Sequence, residues 1–110
     1  MLIVSKNVRM DEKIAKHKSR YIRRLNKKHP GLIYVITAPA NDLNLMDIYS
    51  GEEVYLSFIK RERDLRVIGI ASSRESALEM VRQMTDEIYK EYGTIDAEVF
   101  RKALSQEVES

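Results

Sequence analysis

The chain of 110 residues has no cysteine and no tryptophan, and it has only two phenylalanines and two histidines. Without cysteine there is no disulfide framework, no thiol nucleophile and no thiolate zinc site, so thiol redox chemistry is excluded. No apolar run approaches the roughly 20 residues that span a bilayer, and Met1-Leu2-Ile3-Val4 is too short and too poorly flanked for a signal peptide. Cytoplasmic localisation is the expectation. The spacing of glycines matches neither a phosphate-binding loop nor a dinucleotide fingerprint, and no internal repeat or low-complexity segment is present. A chain of this length buries roughly 65% of the surface its unfolded form exposes, so one domain over residues 1–110 can hold without metal or disulfide.

What the sequence does have is charge, unevenly placed. Residues 1–30 carry ten Lys/Arg against Asp11 and Glu12, a net of +8, while residues 31–110 carry nine against fifteen acids, a net of −6. The total of +2 therefore hides a dipolar molecule. A concentrated positive field is an argument about partners rather than about fold. Residues 1–30 read as a basic N-terminal segment, 31–104 as an α+β core and 105–110 as a frayed acidic tail.

Along the chain, Leu2-Ile3-Val4 reads as a short strand. Asp11 to Lys28 reads as a single helix: Asp11 is its N-cap, Ile14, Tyr21, Ile22 and Leu25 fall at helical spacing, and His29-Pro30-Gly31 is the stop. Leu32 to Ala38 is rich in β-branched and aromatic residues and closes at Pro39, which predicts a strand, and Asn44 to Tyr49 predicts a second one completing a hairpin. Ser50 and Glu53 have capping-box spacing before a short helix that ends near Glu62. Leu65 to Ala71 is a strand in which Gly69 suggests a bulge or a close backbone approach. Ser72 and Glu75 form a second capping box, opening a helix that runs through Tyr92 with Leu78, Val81, Thr85, Ile88 and Tyr92 inward, widened by Ala77, Met84 and Tyr89. Gly93 stops it, and Asp96 caps a last helix to about Leu104.

This order predicts a small antiparallel sheet of 3–4 strands with helices, in the ferredoxin-like β-α-β-β-α-β sequence plus two C-terminal helices. Three apolar residues are few for the central strand such a layout makes of the first one, so the alternative is a three-stranded sheet with a loose N-terminal segment. The strands at 32–38 and 67–71 are apolar on both faces, so something must cover both. Either the appended helices or a second copy of the chain can do so.

Projected at about 100° per residue, Lys13, Lys16, His17, Arg20, Arg23, Arg24, Lys27 and Lys28 share one broad face that no acid interrupts. Lys16/Arg20, Arg20/Arg24, Arg23/Lys27 and Arg24/Lys28 are like charges at i,i+4, each opposing the helix by about 0.2–0.5 kcal/mol, and an external anion relieves them. Seven of these residues, Lys13, Lys16, Arg20, Arg23, Arg24, Lys27 and Lys28, form the candidate anion or nucleic-acid site, where phosphates would be contacted without regard to sequence. Against nucleic acid stand the lack of an aromatic stacking platform, Tyr21 being the only aromatic of the basic run, and the absence of a helix-turn-helix or RNA-binding signature. The bland alternative is a solvated face, or one neutralised by acids of the same or a neighbouring chain. Membrane docking lacks a Trp or Phe anchor on the apolar side.

Ser72, Ser73 and Arg74 mark a second candidate, an anion site at a helix N-terminus, although Glu75 opposes an anion there and plain capping explains the same residues. His17 and His29 lie among cations that repel a metal, and their spacing shows no partner for general-base work. Asp42, Asp47, Glu52 and Glu53 cluster around the hairpin, where a hard cation or an acid and base pair is conceivable and a solvated loop is the plain account. No metal and no cofactor is expected from these patterns.

Ile36-Thr-Ala-Pro-Ala-Asn-Asp-Leu-Asn-Leu-Met-Asp-Ile-Tyr49, Val67-Ile-Gly-Ile-Ala71, Glu75-Ser-Ala-Leu-Glu-Met-Val81 and Glu87-Ile-Tyr-Lys-Glu-Tyr-Gly93 resemble a family of small, uncharacterised bacterial proteins of unknown function. The likeness covers residues 32–100 and carries strand cores, caps and helix stops but no catalytic or binding residue. Together these readings lead to a non-enzymatic cytoplasmic module that associates, first with itself as a homo-oligomer. The alternative partner is nucleic acid or an acidic protein, met through the basic helix. A small enzyme or anion-binding protein using the acidic hairpin or the Ser72 turn is the third reading.

Overall fold

The computed structural model describes residues 2–25, 32–38, 46–54, 65–94 and 98–99, without the side chains of Leu2 and Leu65. Strand β1 is Leu2–Met10, followed by helices α1 (Glu12–Ala15) and α2 (Lys18–Leu25), strands β2 (Tyr34–Thr37), β3 (Asp47–Ser50) and β4 (Leu65–Ala71), and helix α3 (Arg74–Tyr92). Residues 51–54 are also helical. The strands form one sheet in the order β1-β4-β2-β3.

β2 pairs antiparallel with both β3 and β4, as a hairpin reading requires, but β1 pairs parallel with β4. The sheet is therefore mixed rather than wholly antiparallel, and β1 lies on its edge instead of in its centre. That position resolves the shortage of apolar residues in the first strand, because an edge strand has less to bury. It also removes the picture of a loose N-terminal segment. β1 runs nine residues, not three, with an irregularity between Val4, opposite Val67, and Arg9, opposite Gly69.

Both faces of the sheet are covered within one chain. On one face Ile33, Val35, Val67 and Ile70 pack with Ile14, Leu25 and Val54 from the helical segments, flanked by Tyr21, Ile22 and Tyr49. On the other, Ile36, Ile68 and Ala71 pack against Ala77, Met80 and Met84 of α3. Strict alternation cannot send both Val67 and Ile70 to one face. A bulge does it: Ile36 pairs with Gly69 and Thr37 with Val67, so that Ile68 is the extra residue. Each fully buried Ile or Val here stabilises by about 1.5–3 kcal/mol. The Thr37 hydroxyl is the exception, fully buried on β2 without a hydrogen-bond partner among the described residues.

Gly69 earns both meanings read for it. Besides sitting at the bulge, it leaves no room for a side chain: a Cβ there would lie 2.9 Å from Met80 Sδ and 3.0 Å from Ile36 Cδ1. This close approach seats α3 on Met80. The buried stripe is consequently Ala77, Met80, Met84 and Ile88, while Leu78 and Tyr89, expected inward, are half exposed.

Two local signals hold, and a third is overturned. Ser50 Oγ accepts from the Glu53 N–H and the Glu53 carboxylate accepts from the Ser50 N–H, both at 3.2 Å, which is the expected capping box. Gly93 ends α3 in the left-handed conformation at φ 74°. At the start of α3 the N-cap is Ser73, accepting from the Ser76 N–H at 3.1 Å, not Ser72. The helix expected over 11–28 is broken. The His17 N–H donates to the Ile14 carbonyl, three residues back, and Lys16–His17 form a turn between α1 and α2. The break falls between Lys16 and Arg20, like charges that a straight helix would stack. The helices expected over 50–62 and 96–104, and residues 26–28 of the basic segment, lie mostly or wholly outside the described residues.

Candidate anion-binding groove

β1 and β4 run parallel and end together, Met10 opposite Ile70. The chain leaves β1 toward one face of the sheet, through α1 and α2, and leaves β4 toward the other, through α3. Connections that part to opposite faces at the carboxyl ends of neighbouring parallel strands open a crevice, the usual place for a ligand in open sheets with helices on both sides. A groove of about 520 Å³ lies there, lined by Asp11, Glu12, Lys13, Lys16, His17, Arg20, Tyr21, Ser72 and Ser76, within the size range of small-ligand pockets.

Asp11 forms its floor. One carboxylate oxygen accepts the Ile14 N–H at 3.0 Å, capping α1. The other accepts the Ser72 N–H at 2.7 Å, the Ser72 hydroxyl at 2.8 Å and the Ser76 hydroxyl at 2.7 Å. Partial burial pushes the Asp11 carboxyl upward, but the two backbone N–H groups and two hydroxyls outweigh it and hold the group below the usual aspartate range. The anion that the Ser72 turn attracts is thus an internal one. Ser72 is engaged by Asp11, Ser73 caps α3, and Arg74 is exposed, so the candidate site at Ser72, Ser73 and Arg74 is accounted for by Asp11 and the cap. Neither serine hydroxyl donates to an imidazole; both donate directly to a carboxylate, which is not the nucleophile, base and carboxylate order of hydrolytic catalysis.

Basic side chains line the groove as well. Lys13, Lys16, His17 and Arg20 line the groove together, while Arg23 and Arg24 are exposed further along α2 and Lys27 and Lys28 lie outside the described residues. Among the described residues, Lys16 reaches Glu12 at 3.8 Å, and Lys13, Arg20, Arg23 and Arg24 have no carboxylate within ion-pair distance. The Arg20 and Arg24 guanidinium carbons sit instead over the Tyr21 ring, at 5.8 and 5.7 Å from its centre. That arrangement was invisible in the spacing of charges, although Tyr21 three residues before Arg24 is a spacing that brings those two together.

A neighbouring recess of about 390 Å³ shares Asp11 and Ser76 and is lined also by Arg9, Met10, Glu79, Met80 and Gln83. Its charges are already paired: Arg9 with Glu87, and Glu79 with Arg82 at 2.6 Å. In the acidic hairpin Asp42 lies outside the described residues, Asp47 is half buried in β3, and Glu52 and Glu53 are exposed. No group of three His, Asp or Glu among the described residues could hold a metal ion. His29 is also outside them, and no described helix is long and apolar enough to cross a membrane. Compared with known proteins, the chain matches no family model, no curated protein and no solved structure.

Proposed function

We propose that this protein is a non-enzymatic binding module that presents the cationic wall of α1 and α2 to a polyanion, with a nucleic-acid backbone as the partner. The observation that carries this reading is the exposure of Lys13, Arg20, Arg23 and Arg24 without an ion-pair partner among the described residues. Cations left in solvent on one face lose little by meeting phosphates and gain from counterion release. The test is binding of labelled DNA and RNA at low salt. The expected result is retention that weakens steeply with salt, with a log–log slope of about −3 to −5 for four or five phosphate contacts. Loss of retention is expected in the Arg20→Glu/Arg23→Glu/Arg24→Glu variant, and no retention of the parent protein overturns the reading.

Self-association is the second reading. It drew on strands apolar on both faces and on opposed charge. The helices of a single chain account for the first, and the opposed charge supports the reading still, since α3 carries five acids against three bases on the far side of the sheet.

A further inference from the structure

We propose that the nucleic acid taken by this face is single-stranded, its bases stacking on the guanidinium groups of Arg20 and Arg24, which lie over the Tyr21 ring at the edge of the groove. This rests on the reading of α1 and α2 as a phosphate-binding wall and names the form of the ligand. Two guanidinium groups lie within 6 Å of one aromatic ring, a distance at which a cation is attracted by the ring face. The contact does more than offset the repulsion between Arg20 and Arg24. It holds two otherwise flexible planar groups beside a third, and flat π surfaces beside phosphate-binding cations are what unstacked bases bind.

Phosphate contacts lie within reach on the same wall, because Arg20 and Tyr21 line the groove with Lys13 and Lys16. A duplex keeps its bases stacked on one another and can use only the charges. A single strand can use the charges and the planes together. The groove is also shallow in net charge, since Asp11 and Glu12 share it with those cations, so a second source of affinity besides charge is needed for a specific ligand.

The experiment compares binding of the full chain to a short labelled oligothymidylate or oligouridylate, to a duplex of equal length, and to heparin, which is a polyanion without bases. The expected order is single strand tighter than duplex by about tenfold or more, the size of one stacked base. The Arg20→Lys/Arg24→Lys variant keeps both charges and loses both planes. It is expected to bind the single strand about tenfold more weakly with its salt slope and its heparin binding unchanged. Tyr21→Leu is expected to do the same, but Tyr21 also packs on the core, so the exposed arginine pair is the deciding variant. Equal affinity for single strand and duplex, or a lysine variant that binds like the parent, overturns the inference and leaves the polyanion reading standing. Failure of the parent to bind any of the three probes overturns both.

Discussion

Asp11 carries the densest set of polar contacts among the described residues, and half of its role was legible in the sequence. Its position before Glu12 marks a helix cap, and it does cap α1. Its bonds to Ser72 and Ser76 span 61 and 65 residues of chain and depend on β1 lying parallel to β4 in a register that no local pattern encodes. Replacing Asp11 by Asn keeps a cap acceptor but turns an amide toward the Ser72 N–H, and Asp11→Ala removes every acceptor. The alanine variant is expected to lose roughly 2–4 kcal/mol, from one cap and several hydrogen bonds to a charged group. Because folding lowers the Asp11 pKa from its ordinary value of 3.8, the unfolded chain binds its proton more tightly, and the stabilisation is fully present above that unfolded value. It is lost as pH falls through the folded value. Urea denaturation between pH 7 and pH 2 is therefore expected to show a flatter acid limb in Asp11→Asn than in the parent, and parallel limbs would count against a stabilising role for the Asp11 carboxylate.

At the level of elements, strands and caps were largely legible and helix orientation was not. β4 occupies residues 65–71 as its composition implies, and Gly93 ends α3 where expected. The buried stripe of α3 is shifted because Leu78 and Met80 are both apolar, so spacing alone cannot choose between them. The choice is made by Gly69, where a helix side chain approaches the β4 backbone closely. Gly69→Ala tests this. The new methyl meets Met80 Sδ, the movable part of a flexible side chain, and Ile36 Cδ1 and Cβ, the last at 3.3 Å and less able to retreat. A loss of about 1–3 kcal/mol in chemical denaturation is expected from overpacking, whereas Gly69→Ala as stable as the parent would show that α3 is not held by this contact. The break in the basic helix has the same character. Its apolar residues allow one continuous helix, while its charges favour an interruption, and only the folded chain shows which prevailed.

For the whole molecule, the charge asymmetry of the sequence becomes a layered one. Helices α1 and α2 hold five Lys/Arg and one acid on one side of the sheet, and the acid-rich α3 covers the other. Opposite faces of opposite sign favour association of copies face to back, screened by salt over a Debye length of about 10 Å at 0.1 M. Sedimentation is expected to show a mass that rises with concentration at low salt and falls to that of one chain at high salt. A single-chain mass under all conditions would sink the self-association reading without touching nucleic-acid binding.

Composition and periodicity by themselves determined the α+β class, the strands from 34 to 37 and 65 to 71, the caps at Ser50 and Gly93, and the surplus of positive charge before residue 30. All of these depend on interactions within a few residues of chain or on sums over it. Tertiary structure alone decided the parallel pairing of β1 with β4, the burial of both sheet faces within one chain and the meeting of Asp11 with Ser72. It also decided the placing of the Arg20 and Arg24 guanidinium groups over the Tyr21 ring, because side-chain rotamers on a short helix are chosen by what the neighbouring elements leave open.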